Sequence, residues 1–171
     1  VREKDGLWAV LLWLNILAVR RESVAEIMAS HWVRFGRNYY ARYDYEGLES
    51  AAAEQLINEL RAALPALPGR KTESLTVVGA DEFEYLDPVD GSLSRNQGLR
   101  LRFENGARIV FRLSGTGTSG ATLRVYLERF EGPDGILDAE TTQALVDLVA
   151  AANDLAGITR HTGRSTPTVI T

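Results

Sequence analysis

The stretch GLRLRFENGARIVFRLSGTGTSGATLRVYLERF, residues 98–130, decides the fold of the chain around it. It reads as three strands, at about 98–104, 107–114 and 121–130, separated by turn-forming residues. Asn105-Gly106 is the strongest hairpin signal in the chain, because both residues tolerate the positive φ of a type I′ turn. Upstream, residues 74–86 read as another strand, set off by the loop residues Pro65, Pro68 and Gly69. Downstream, Pro133-Asp134-Gly135 predicts a further turn, and an amphipathic helix follows over about 138–156 with Gly157 as its C-cap. The tail, 159–171, is polar and rich in Thr.

The N-terminal third has a different character. Asp5 is placed to cap a helix running from about Gly6 to Arg20, whose segment Leu7–Val19 is strongly apolar. Ser23 and Glu26 have the spacing of a capping box, predicting a second helix that ends near Phe35 with Gly36 as its cap. Residues 38–46, NYYARYDYE, alternate aromatic and polar side chains as a strand does. Tyr39, Tyr40, Tyr43 and Tyr45 in it therefore read as packing residues rather than as a base-stacking platform. Residues 47–63 read as a third helix. The sum is an α+β fold, an antiparallel sheet with helices on one face, preceded by two helices that belong to something else.

Composition excludes several classes. A net charge of −4 and a mixture of 45% hydrophobic with 25% charged residues describe a globular protein with no general attraction for nucleic acid or anionic membrane. The apolar run at Leu7–Val19 is too short for the roughly 20 residues a membrane-spanning helix needs. The absence of cysteine excludes disulfides and thiolate metal sites, and a cytoplasmic setting is expected. A helix apolar nearly all round needs protein on most sides. With no Met at position 1, the reading is of a piece of a longer chain whose earlier part would cover that helix. All the basic residues except Lys4 and Lys71 are arginines, a bias that codon usage accounts for in bulk, so each arginine needs its own argument.

Two of them stand at a conspicuous place. Arg112 and Arg124 bracket a run of Gly, Ser and Thr between two strands. Glycines let successive backbone N–H groups converge on a concavity that binds anions. Hydroxyls add donors, and Arg adds charge-assisted, often bidentate bonds. This is the chemistry that a phosphate monoester requires. The run is not a nucleotide P-loop, since no Lys-Ser or Lys-Thr follows its glycines.

Here the chain resembles a known family. RIVFRLSGTGTSGATLRVY (108–126) is similar to the phosphate-binding loop in the C-terminal domain of the phosphoglucomutases of the α-D-phosphohexomutase superfamily. NQGLRLRF (96–103), DEFEYLDPVDG (81–91), HWVRFGRNYYARYDYE (31–46), PTVIT (167–171) and REKDG (2–6) match in the same order. The resemblance implies a TATA-binding-protein-like C-terminal mutase domain at 37–171 and the end of the third, α/β domain at 1–36. It implies an enzyme that interconverts glucose 1-phosphate and glucose 6-phosphate through a phosphoserine and a glucose 1,6-bisphosphate intermediate, with Mg²⁺ assisting transfer. Implied contacts to the non-reacting phosphate are Arg112, Ser114, Gly115, Thr116, Gly117 and Arg124, with Thr118 and Ser119 shaping the loop. Lys4 matches a lysine beside the sugar site.

The catalytic parts of that family are not in this sequence. Its phosphoserine motif, Thr-Ala-Ser-His-Asn-Pro, its Asp-x-Asp-x-Asp metal loop and its sugar-specificity loop are all missing. Ala29-Ser30-His31 imitates the first of these but continues Trp-Val inside a predicted helix. Asp87 and Asp90 read as turn residues, and His31 and His161 as unrelated singles. The expectation is a catalytically inactive segment that binds a phosphohexose, its nucleophile and Mg²⁺ lying in the missing N-terminal mutase domains. Neither nucleic acid nor membrane is an expected partner. The alternative is a stand-alone, non-catalytic phosphosugar-binding module.

Overall fold

The computed structural model describes residues 4–117 and 120–171, which fall into two compact units. The first comprises the chain up to Arg37 together with Glu131–Asp138. Its α1 spans Gly6–Arg20 and begins where the Asp5 carboxylate accepts a hydrogen bond from Trp8 N at 2.9 Å. The helix ends at Arg21, which takes the left-handed conformation, and none of its residues is buried. Its α2 spans Val24–Phe35. Ser23 Oγ accepts from Glu26 N, and Glu26 Oε2 accepts from Ser23 N at 2.8 Å, the reciprocal box that the spacing predicts. Arg37 lies over the Trp32 ring and donates to Leu137 O, tying the returning segment to the end of α2. The predicted turn there closes with Gly135 N donating to Gly132 O.

The second unit, Asn38–Phe130 with Ala139–Thr171, is the α+β body. Its strands are β1 (Arg37–Leu48), β2 (Val77–Glu82), β5 (Leu99–Phe103), β6 (Arg108–Gly117), β7 (Gly120–Glu131) and β8 (Val169–Ile170), with a separate ribbon of β3 (Tyr85–Leu86) and β4 (Leu93–Ser94). The large antiparallel sheet has the order β2-β5-β6-β7-β1-β8. Alternation along the strands sorts the side chains into two faces. Leu99, Leu101, Phe103, Ile109, Phe111, Leu123, Val125 and Leu127 are buried against the helices. Each such side chain contributes roughly 1.5–3 kcal/mol through removal of apolar surface from water. The helices that cover this face are α3 (Ser50–Ala63), α5 (Val146–Ala156) and α6 (Ile158–Thr162), with Leu56, Leu60, Leu148 and Ile158 buried. The opposite face carries Arg100, Arg108, Arg112, Arg124 and Tyr126.

Several local expectations are corrected. The third helix starts at Ser50 rather than 47, because Gly47 and Leu48 finish β1. The strand expected over 74–86 ends in the large sheet at Glu82: Phe83 still exchanges hydrogen bonds with Gly98 O and Gln97 N, after which β3 pairs with β4 instead. The Asn105-Gly106 hairpin is present, but its turn is not type I′. Only Gly106 has positive φ, at 80°, while Asn105 Oδ1 accepts from Ala107 N. Gly106 N donates to Phe103 O and Phe103 N to Ala107 O, which is a three-residue loop ending in a bulge glycine. The helix expected over 138–156 is interrupted at Leu145, whose φ of −110° and ψ of 5° separate α4 (Thr141–Ala144) from α5. The polar, Thr-rich tail carries structure of its own. It forms α6, held by Thr162 Oγ1 donating to Ile158 O, and then pairs as β8 with Tyr43 and Asp44 of β1.

Candidate phosphate-binding site

The hairpin formed by β6 and β7 places its two bracketing arginines face to face. Arg112 pairs directly with Arg124, Leu113 with Leu123 and Ser114 with Thr122, after which the register slips and Gly117 meets Gly120. The slip needs glycines: Gly115 has φ 69° and Gly120 has φ 92°. Gly120 also lies against β1, where an added Cβ would stand 3.1 Å from Leu48 O. Arg112, Ser114, Gly115 and Arg124 are thus brought together at one end of one hairpin, with the backbone of Thr116 and Gly117 continuing it. Thr118 and Ser119 lie outside the described residues. Lys4 belongs to the other unit, exposed and next to the Asp5 cap.

Two guanidinium groups side by side repel, and the structure contains a counter-charge that sequence reading missed. Asp44 is only 3% exposed, the one buried charged residue among the described residues. Its Oδ1 accepts from Arg42 Nε at 2.9 Å, and its Oδ2 lies 3.9 Å from Arg124 Nε. Arg124 Nε is buried with no hydrogen-bond partner, while the side chain as a whole is 41% exposed. Arg112 is exposed and borders two recesses. One, of about 410 Å³, is lined by Glu54, Asn58, Arg61, Glu82 and Asn96. The other, of about 950 Å³, runs across the open sheet face past Tyr40, Arg108 and Tyr126. Gly98 sits against the stem of Arg112, and a Cβ there would be 3.0 Å from Arg112 Cγ.

The remaining arginines of the open face are paired. Arg100 binds Asp81 through Nε and Nη2, each at 3.0 Å, and Arg108 binds Glu128. Among the described residues no hydrogen bond or ion pair engages Arg112, whose guanidinium carries five donors. Other titratable singles fall elsewhere. Ser30 is inside α2, and the His31 ring lies tilted against Phe35 with centroids 4.8 Å apart. His161 Nε2 lies 3.1 Å from Glu59 Oε2. Asp87 and Asp90 close turns by accepting from Val89 N and Ser92 N, and the hydrogen bonds from Ser92 hold the Asp90 carboxyl below its ordinary value. No group of three or more metal-ligating side chains occurs among the described residues. No helix there is long and apolar enough to cross a membrane.

Comparison with known proteins gives this geometry a family. Residues 37–168 match the model of the phosphoglucomutase-1 C-terminal domain, and residues 1–35 match the α/β/α domain III of phosphoglucomutase/phosphomannomutase. The whole chain is 57% identical to a phosphoglucomutase of Rhizobium radiobacter and covers 32% of that protein. It is 48% identical to human phosphoglucomutase-1, again covering 32% of it. It is 46% identical to a pea protein named a cytoplasmic phosphoglucomutase. Among solved structures, the open form of parafusin from Paramecium, described as a phosphoglucomutase, superposes with a TM-score of 0.84 at 44% identity. That match covers all of this chain and 30% of the other. The chain therefore spans about a third of the length of the relatives it matches, and by sequence and fold it belongs to the phosphoglucomutase family.

Proposed function

We propose that the chain is the phosphate-holding C-terminal portion of an enzyme that interconverts glucose 1-phosphate and glucose 6-phosphate. The observation that carries this reading is the opposition of Arg112 and Arg124 at the end of the glycine-rich hairpin. A phosphate monoester carries close to two negative charges at neutral pH, with a second pKa of about 6. Two guanidinium groups, the hydroxyl of Ser114 and backbone N–H groups around Gly115 and Gly117 supply donors of matching charge, and Thr116 is assigned with them on the family motif alone. None of these donors reads the sugar. The clamp would therefore hold whichever phosphate is not reacting, before and after the bisphosphate intermediate turns round. Binding energy gathered on a distant phosphate positions the reacting one.

Lys4 is assigned to the sugar side on the strength of the family motif alone. Mg²⁺, which supplies charge stabilisation to the transferring phosphoryl group, finds no ligand set among the described residues, so none is assigned here. Nucleophile and metal are assigned to the remaining two thirds of the length seen in the relatives. The exposed apolar side chains of α1, such as Leu7, Trp8 and Leu11, suit burial by that remainder. A cytoplasmic location follows from the same reading.

The test is titration of this chain with inorganic phosphate and with glucose 1,6-bisphosphate, followed by amide NMR. Shifts clustered on residues 112–124 are expected, with no conversion of glucose 1-phosphate by the chain alone. A folded protein with no shift in that segment would reduce the hairpin to a connector. Turnover by the chain alone would overturn the assignment of catalysis to the rest of the enzyme.

A further inference from the structure

We infer that Asp44 is a positioning residue of the phosphate clamp, acting on substrate phosphate only through Arg124; the inference rests on the reading of that hairpin as a phosphate site. Asp44 stands on β1, far in sequence from the loop, and its carboxylate is 5% exposed. A buried carboxylate is costly unless charged or hydrogen-bonding partners surround it. Its partners are two arginines. Arg42 takes Oδ1 with a hydrogen bond at 2.9 Å, leaving Oδ2 directed at Arg124 Nε, 3.9 Å away.

That distance is a charge contact without a hydrogen bond. Arg124 Nε is correspondingly a buried donor with nothing to donate to, while the exposure of the side chain is carried by its other atoms. A buried donor left unsatisfied costs about 1–3 kcal/mol, so the position is unfavourable for Arg124 unless something compensates it. The negative charge of Asp44 compensates it and keeps the Nε edge turned inward. The exposed part of the guanidinium is then left for a ligand on the side of Arg112, its direct register partner. Asp44 also relieves the repulsion between the two opposed guanidinium groups. Its backbone is fixed independently, since Thr168 N donates to Asp44 O and Val169 pairs with it in β8. The carboxylate therefore has a rigid base from which to orient a long side chain.

The sign of the effect separates this role from simple electrostatics. A carboxylate near an anion site repels the anion, so neutralising it should tighten phosphate binding. A positioning carboxylate predicts the opposite. In the 171-residue chain, Asp44→Asn is expected to weaken inorganic phosphate binding by about tenfold, the scale of one charge-assisted hydrogen bond. In an Arg124→Ala background the same change should have no further effect on affinity. Tighter binding, or an undiminished loss in the Arg124→Ala background, overturns the inference while leaving the phosphate site standing. Absence of phosphate shifts at 112–124 in the unsubstituted chain removes the phosphate site and the inference together. The side-chain Nε–H resonance of Arg124 gives a second readout that does not depend on the variant folding. Its exchange with water should be much slower than that of Arg112 in the unsubstituted protein, and equal rates would overturn the inference.

Discussion

Arg112 and Arg124 are direct register partners across the β6–β7 hairpin, so their side chains emerge together from the same face of the sheet. Like charges in that relationship destabilise a hairpin by a few tenths to about 1 kcal/mol unless an anion or a carboxylate intervenes. On the proposed reading the pair trades some stability for phosphate binding, with the Asp44 carboxylate offsetting part of the cost.

The first prediction follows from that trade. Replacing Arg112 or Arg124 by Ala in a complete enzyme carrying this sequence should raise KM for glucose 1-phosphate by about ten- to a hundredfold, the worth of a charged hydrogen bond or two. Thermal unfolding should hardly change for Arg112→Ala, whose side chain is exposed and has no partner among the described residues. Steady-state kinetics with parallel melting curves decide the matter. Unaltered KM for both variants would dismiss the clamp.

The bend of the same hairpin makes the second. Gly120 has φ 92°, and an added Cβ would lie 3.1 Å from Leu48 O and 3.3 Å from Gly47 Cα. Both contacts are to the backbone of β1, which cannot rotate away. Gly120→Ala should cost about 1–3 kcal/mol from the backbone conformation alone, with the contact adding to it. Urea unfolding would register this as a lower midpoint at unchanged slope. A midpoint equal to that of the unsubstituted protein would contradict the tight approach of the hairpin to β1.

A third prediction concerns the helix that opens at Ser23. Glu26 is held below its ordinary value of 4.5 by the hydrogen bond from the Ser23 backbone N–H and by the Ser23 hydroxyl. A carboxyl lowered in the folded state favours folding above its unfolded pKa, and that contribution is lost as pH falls through the lower, folded value. The contribution of the box should therefore disappear on acidification within the range below 4.5 and be insensitive to pH at neutrality. Carboxyl NMR titration should show the Glu26 midpoint moving partway back up in Ser23→Ala, since the backbone donor remains. No movement would mean that the hydroxyl contributes nothing to the depressed value.

What could be read in advance was local. The Asp5 cap, the Ser23–Glu26 box, Gly157 in the left-handed conformation and the strands around 98–130 each depend on residues within a few positions of one another. Misjudged features depend on distant partners. Gly47 and Leu48 look helical beside the Ala-rich run, yet β7 makes them strand because Gly120 packs on them. Phe83 keeps hydrogen bonds to Gly98 and Gln97, and the strand ends beyond it because Tyr85 and Leu86 pair with Ser94 and Leu93 instead. The tail pairs with β1 across more than a hundred residues. In the site, the two arginines and the glycine run were visible because they are contiguous. Asp44 was hidden in an aromatic strand, where only the sheet order shows that it lies beside Arg124.

Gly98 is another residue that only the fold connects to the site. It has φ 144°, and its carbonyl accepts from Phe83 N at 2.8 Å, just past the end of β2. A Cβ at this position would stand 2.9 Å from Val110 Cγ1, 3.0 Å from Arg112 Cγ and 3.1 Å from Phe111 O. The carbonyl cannot yield, whereas the Val110 and Arg112 stems can rotate. Relief of the clash therefore moves Arg112, the side chain proposed to hold phosphate. Gly98→Ala should weaken phosphate binding severalfold as well as lowering stability, whereas Gly69→Ala, also at positive φ with nothing within 4 Å, should lower stability alone. Titrating both variants with phosphate at a temperature where both are folded separates the two effects. If Gly98→Ala bound phosphate as tightly as Gly69→Ala, the placement of Arg112 by Gly98 would have to be abandoned.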